Sequence, residues 1–265
     1  MSAPRCVLVA ALALAACAPA TSMTGPAGPI PERCAWTGRY PGAWVFEEEE
    51  RIVAYFAPTN LEEYRRTLPG AFAMPERPLV RVSVIDFYGM SHGATYLESE
   101  ISVVGLHRDQ PGFFVVTMPV TDGDSCAGGR FAWGYPKLVR RITLERQRNR
   151  YVGVVYAPGG QVPELTLAFD AVGGNPGGPA MDVLGLVGPM PNFTLKDGRV
   201  LSFGGGRRPV QQLESWAPTV YRVSLGRATL ELPREPEHLL RRLGIGQPLA
   251  AFWLRQRARY SISAN

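Results

Sequence analysis

The sequence predicts a mostly β protein, a closed antiparallel β-barrel with a few short helices, and three observations carry that expectation. Apolar runs with period-two alternation recur along the chain, as in Leu79-Val80-Arg81-Val82-Ser83-Val84-Ile85-Asp86-Phe87, the pattern of a strand whose successive side chains face opposite ways. Gly and Pro clusters such as Gly159-Gly160 punctuate these runs. Only two stretches carry helical signals, and closing so many strands into a barrel removes exposed edges.

Met1 to Ala16 carry Arg5, an apolar run from Val7 to Leu14 and then small residues, the layout of a secretory signal peptide, and the run is too short to span a bilayer. Leu14-Ala15-Ala16-Cys17 resembles the bacterial lipobox. Residues 1–16 are therefore expected to be a removed leader, with Cys17 lipidated and Ala18 after it suited to outer-membrane sorting. Residues 17–33, rich in Ala, Pro, Gly, Ser and Thr, suit a flexible tether. The expected product is a secreted lipoprotein of the bacterial outer membrane or periplasm, bound to the membrane through its N-terminal lipid, with residues 34–265 as one folded domain. Of four cysteines, Cys6 falls in the leader and Cys17 at the lipid. Cys34 and Cys126 remain, and an oxidising compartment lets them pair.

Within the domain, residues 44–56 read as strand on either side of the acidic run Glu47-Glu48-Glu49-Glu50, which is expected to be solvated. Thr59 or Asn60 caps a short helix over 61–68, with Glu62 and Glu63 early, Arg65 and Arg66 late, and Pro69 as its stop. Strands follow over 79–87, 94–106, 113–119, 138–146, 151–157 and 164–169. A Gly/Pro-rich loop spans 171–191. Strands are expected again over 200–203, 210–215 and 218–232, then a basic helix over 235–243 and a closing strand over 248–262.

A net charge of +5 and a pI near 9.2 do not point to nucleic acid, because the arginines are scattered rather than clustered on one element. Gly89-Met90-Ser91-His92-Gly93 fits the nucleophile-elbow pattern, with Asp170 and His238 following, yet the residues after it alternate like a strand where an elbow needs a helix. Gly204-Gly205-Gly206-Arg207-Arg208 lacks the Gly-Lys-Ser/Thr ending of a phosphate loop. His92, His107 and His238 show no ligand spacing, so no metal site is expected.

The chemistry concentrates at Gly129-Arg130-Phe131-Ala132-Trp133-Gly134-Tyr135-Pro136-Lys137. Proline fixes its own φ and pushes its predecessor into extended backbone, so the lysine after it is held stiffly. Phe131, Trp133 and Tyr135 bring apolar surface that keeps water away. Desolvation favours the neutral form of an amine, which makes Lys137 a candidate nucleophile toward a ketone or aldehyde. The bland alternative is a solvated surface lysine.

This segment resembles the Gly-Arg-Glu, aromatic, Pro-Lys motif of the acetoacetate decarboxylase family. Pro78-Leu79-Val80-Arg81, Tyr96-Leu97-Glu98-Ser99 and Pro191-Asn192-Phe193-Thr194-Leu195-Lys196 resemble further family segments in the same order. The resemblance implies a Schiff base between Lys137 and a small β-keto acid or related carbonyl compound, with no cofactor, in a protein that is often a homo-oligomer. It places Glu98 as an active-site carboxylate, against the alternative of a solvent-facing glutamate that shares its face with Glu100. It places Arg130, Phe131, Trp133 and Tyr135 at the substrate, with Arg130 either binding a carboxylate or bracing the loop. Three departures stand out: Leu138 replaces the second lysine of the decarboxylase proper, Phe131 replaces the glutamate of Gly-Arg-Glu, and the carboxylate expected near Ser83 is missing. Aldol-type condensation or dehydration by the same lysine, or a barrel that only binds a ligand, are the alternatives.

Overall fold

The structure is a computed structural model, and it describes residues 22–23, 33–37, 44–90, 95–172, 178–188, 190–203 and 220–262. The expected leader, Cys17, and the strand expected over 210–215 lie outside them, as do Ser91, His92, Gly93 and the Gly204 to Arg208 segment. Within the expected tether, Ser22–Met23 form a two-residue strand, β1.

Through the first half of the domain alternation becomes strand. β2 (Trp44–Phe56), β3 (Val80–Met90), β4 (Tyr96–His107) and β5 (Gln110–Val120) pair antiparallel in succession. Between β2 and β3, α1 (Leu61–Thr67) starts at Asn60, whose side chain accepts from Glu63 N at 3.1 Å. Its Tyr64 is fully buried and reaches Val104 O at 2.7 Å. After β5 come α2 (Gly123–Ala127), a π-helical turn (Gly128–Ala132) and the short β6 (Lys137–Val139). Then follow β7 (Ile142–Gln147), β8 (Arg150–Tyr156), β9 (Pro163–Ala171), α3 (Gly178–Val187), β10 (Asn192–Lys196), β11 (Arg199–Phe203), β12 (Val220–Glu231), α4 (Leu239–Arg242) and β13 (Pro248–Ile262).

These strands make one thirteen-stranded sheet in the order β1-β7-β8-β9-β12-β13-β2-β3-β4-β5-β10-β11, with β6 on β5 beside the path. The expected closed barrel is therefore corrected to an open sheet. The reason lies at Arg140 and Arg141, inside the stretch expected as one strand over 138–146. Arg140 N–H donates to Val120 O at 2.9 Å, whereas Arg141 O accepts from Tyr156 N at 3.0 Å, so the chain changes partner from β5 to β8 in one step. The sheet instead folds over a shared core, in which Ile52, Val82, Val84 and Leu97 of one half meet Ile142, Leu144, Leu167 and Phe169 of the other.

Two further expectations are corrected. The loop expected over 171–191 contains α3, whose Val183 and Val187, one turn apart, pack with Val53, Tyr55 and Ala250 on the outer face of the sheet. Pro179 at its start costs nothing, since the first helical N–H groups have no partner to lose. The acidic run is not solvated: Glu49 and Glu50 are buried. They sit mid-strand between β13 and β3, where alternation sends them to opposite faces, Glu49 beside Arg51 and Glu50 into the core beneath the Trp253 indole, which donates to it at 2.5 Å.

Glu50 also stands opposite Asp86 of β3, and Asp86 is buried with no cation beside it among the described residues. Burial, and then repulsion by Glu50, push the Asp86 carboxyl up to about 7. In the unfolded chain it ionises near 4. Between these values the native state holds a proton that the unfolded chain has lost, so Asp86 costs stability progressively as pH rises from about 4 to about 7, by on the order of 4 kcal/mol once fully ionised. Asp86→Asn removes this slope. Urea unfolding at pH 5 and pH 8 should show the variant gaining on the wild type at the higher pH; profiles that stay parallel would refute the assignment.

Candidate active site

The lysine motif is built from α2 onward. Asp122 caps α2 by accepting from Ser125 N at 2.7 Å, and the helix runs directly into the π-helical turn. Tyr135 N–H donates back to Gly129 O at 3.0 Å, and Gly134 turns the chain with a φ of +67°, where a Cβ would lie 2.7 Å from Leu195 O. Trp133 O accepts from the Thr194 hydroxyl at 2.7 Å, and Ala132 O from Lys196 Nζ at 2.9 Å, so β10 pins the turn from the other side. Lys137 then enters β6, pairing parallel with Met118 of β5.

From β6 the Lys137 side chain reaches across β5 toward β4, where Glu98 stands opposite Val120. Two strand spacings separate the two backbones by about 10 Å, and the long side chains close the gap: Lys137 Nζ lies 2.7 Å from Glu98 Oε2. Both residues are buried, Lys137 at 6% and Glu98 at 5% relative exposure. Aromatic rings flank the amine, with the Tyr96 centroid at 5.4 Å and that of Tyr135 at 5.9 Å. Gly129 packs on the lysine stem so tightly that a Cβ there would lie 2.5 Å from both Cδ and Cε. The amine's position is thus fixed from three sides.

The amine and Glu98 lie in the wall of a cavity of about 150 Å³, lined also by Phe46, Ile85, Phe87, Tyr96, Met118, Trp133 and Tyr135. Arg51, Glu100, Ser125 and Asn192 complete the lining. Burial raises the Glu98 carboxyl above the usual range, and the Lys137 ammonium opposes that rise. Glu100 is held by Arg81, which also donates to Asn192 Oδ1 at 2.6 Å and lies 3.9 Å over the Phe113 ring. Ser83 is buried opposite Glu100 in the β3–β4 ladder, so the second carboxylate of the site arrives from β4 rather than β3. Burial also raises the Tyr135 hydroxyl, with Glu100 and Glu98 adding to the effect.

The residues anticipated at the substrate divide. Trp133 and Tyr135 line the cavity with Lys137 and Glu98. Phe131 does not: it is 64% exposed, because the π-helical turn carries it to the outer side. Arg130 is exposed as well and donates to Lys137 O at 3.4 Å, bracing the loop on the wall of an outer groove shared with Pro136, Leu138 and Lys196. Sequence reasoning missed Arg51, Arg81, Ser125 and Asn192. Arg81 and Asn192 sat in segments already singled out by resemblance, and the alternation that puts Glu100 on the face of Glu98 also puts Arg81 on the face of Ser83 and Ile85. Arg51 was hidden behind the supposedly solvated acidic run.

Cys34 and Cys126 lie with their sulfurs 2.00 Å apart in a disulfide. Thr37 adds two bonds to Asp124, its N–H at 2.7 Å and its hydroxyl at 2.5 Å. Residues 34–37 thus strap α2, the helix that leads into the lysine turn.

With this geometry in hand, comparison with known proteins places the chain. The acetoacetate decarboxylase (ADC) family profile matches residues 29–262, and the protein belongs to that family, whose enzymes are acetoacetate decarboxylase-like lyases. An acetoacetate decarboxylase of Burkholderia mallei is 27% identical over 118 residues, 44% of this chain and 47% of that protein. One of Ralstonia nicotianae is 27% identical over 119 residues, with the same shares. The match thus spans about half the length of these relatives. The solved acetoacetate decarboxylase of Legionella pneumophila shares the fold at a TM-score of 0.63 and 18% identity, covering 90% of this chain and 93% of that one. The enduracididine biosynthesis enzyme MppR, complexed with pyruvate, does so at 0.59 and 11%, covering 85% and 91%.

The strap has a measurable consequence. The disulfide joins residues 92 apart, and a loop of that length is worth about 3 to 5 kcal/mol through restriction of the unfolded chain. Replacing Cys34 and Cys126 together by Ser should lower the urea-extrapolated stability by that amount, and a double variant as stable as the wild type would show that α2 does not depend on the bond.

Proposed function

We propose that the protein is a Schiff-base-forming, acetoacetate decarboxylase-like enzyme acting on a small β-keto acid or related carbonyl compound through Lys137. The observation that carries this reading is the buried Lys137–Glu98 contact of 2.7 Å in the wall of a small, largely aromatic cavity. A charged pair in such a place has the same net charge as a neutral amine beside a carboxylic acid, and burial raises the affinity of the Glu98 carboxyl for a proton. Moving the proton from Nζ to Glu98 frees the nucleophile without exchange with water.

The free amine adds to the substrate ketone, and the oxygen leaves as water after taking the proton from Glu98. The protonated imine now faces the Glu98 carboxylate. Its positive nitrogen accepts the electron pair released as the Cα–carboxylate bond breaks and carbon dioxide departs. The neutral enamine then takes a proton at carbon, and water hydrolyses the imine to return Lys137. Leu138, where the decarboxylase proper has a second lysine, leaves this work to desolvation and to Glu98. The enamine can also attack an aldehyde instead of a proton, and this second reading draws support from MppR, solved with the condensation product of pyruvate and imidazole 4-carboxaldehyde. We further propose that Cys17 carries lipid and holds the domain at the bacterial outer membrane or periplasmic face, on the strength of Leu14-Ala15-Ala16-Cys17.

Borohydride trapping with acetoacetate, followed by peptide mass spectrometry, tests the chemistry. The adduct should sit on Lys137 and vanish in Lys137→Met, while Lys196→Met, whose amine lies outside the cavity and whose hold on the turn is shared with Thr194, should still form it. Glu98→Gln should slow turnover by roughly 10²- to 10⁴-fold. Released carbon dioxide distinguishes decarboxylation from condensation, and a wild-type protein that binds the keto acid but traps none of it is a binding protein instead.

The anchor is tested apart from the enzyme. Cys17→Ser should move the protein from the membrane to the soluble fraction of the producing cell; unchanged membrane association would defeat the lipoprotein reading.

A further inference from the structure

The polar groups around the cavity are nearly all committed to one another. Glu98 holds Lys137, Glu100 holds Arg81, and Arg51 pairs with Glu49. The Ser125 hydroxyl donates to Asp122 at 2.8 Å, Asn192 accepts from Arg81, and the Tyr135 hydroxyl is bonded to Asn192. Trp133 differs from these residues in having one donor and no partner for it. Its ring is buried at 6% exposure and lines the cavity, yet Nε1 has no acceptor among the described residues. Trp253, the other buried indole among the described residues, does have one in Glu50. Leaving such a donor unpaired is costly, and a buried polar atom without a partner at a ligand cavity marks the place where a ligand atom belongs.

We propose that the Trp133 N–H is the donor that holds an oxygen of the substrate's carboxylate, which deepens the Schiff-base reading and rests on it. An indole nitrogen only donates, so its partner must bring an acceptor oxygen. The choice of a neutral donor suits the reaction. The carboxylate leaves as uncharged carbon dioxide, so a full cation on it would stabilise the bound acid more than the transition state and slow the step. A single N–H orients the group at lower cost. Once the imine has formed, the Glu98 carboxylate in the same wall repels the substrate's own carboxylate and keeps it away from that side of the cavity. Thr194 holds the Trp133 carbonyl, so the backbone that carries the indole is fixed before substrate enters.

The test compares acetoacetate with acetone, the same methyl ketone without the carboxylate, on the full chain. Trp133→Phe keeps the apolar ring and deletes the N–H. The concentration of acetoacetate that half-saturates borohydride trapping at Lys137 should rise about 10- to 100-fold, the value of a hydrogen bond to a charged group, while that of acetone stays unchanged. Equal losses with both compounds would assign the residue to the ketone oxygen or to packing, and no loss with either would leave the N–H without a role; each overturns the proposal. The second readout needs no folded variant and no imine. In wild-type protein carrying ¹⁵N-labelled indoles, the Trp133 N–H proton should move downfield with acetoacetate and not with acetone. If trapping fails but this signal moves, the lysine chemistry falls and the carboxylate contact stands. If trapping succeeds and the signal stays still, the carboxylate contact falls alone.

Discussion

The site depends on keeping two opposite charges, or the proton they share, out of water in the wall of an apolar cavity. Taking an ammonium and a carboxylate from water costs several kcal/mol each, and only close geometry returns it. The contact at 2.7 Å is therefore less a source of stability than a demand placed on everything around it. β5 has to hold β4 and β6 at fixed spacing on its two sides, with Met118 level with Lys137 and Val120 opposite Glu98. A slip of one residue in either ladder would turn one partner to the opposite face and leave the other buried and alone.

Much of the remaining architecture answers that demand. A three-residue strand such as β6 has little pairing of its own, so its position is imposed from its N-terminal side. α2 is strapped by the Cys34–Cys126 disulfide and Thr37, the turn is stapled to β10 through Thr194 and Lys196, and Gly129 admits the lysine stem where any side chain would expel it. The lysine is rigid because the turn before it is held at both ends.

Period-two patterning made β3, β4, β5, β8 and β9 readable, and capping chemistry made α1 readable, because these features are local. Lys137 and Glu98 were legible only through resemblance, since nothing in the composition of either segment says that β5 will lie between them. The errors share one cause. Burial of Glu49 and Glu50, the exposure of Phe131, the partner change at Arg140 and the packing of α3 are all decided by which distant element arrives alongside, and four glutamates in a row look solvated until Trp253 and Arg51 are known to be there. Strand alternation did hold the hint: with Val53 and Ile52 facing opposite ways, Glu49 and Glu50 had to point to two different interiors.

Leu138 raises the question of how a family member works without a second lysine beside the first. A neighbouring cation acts by making the ammonium expensive, so that its proton goes to solvent. A buried carboxyl whose affinity for protons is raised by desolvation reaches the same amine by another route, because the proton need only cross to Glu98 and the net charge of the buried unit does not change. That route asks for a tighter contact and a drier cavity than charge repulsion does, and the aromatic rings of Phe46, Phe87, Tyr96, Trp133 and Tyr135 supply the dryness. In the proposed Schiff-base cycle it also returns the proton where it is next required, on the carboxylic acid facing the oxygen that must leave. On this reading the buried Glu98 does the work that a neighbouring cation would otherwise do, and placing a cation at position 138 would add repulsion to an amine that already has an acceptor for its proton.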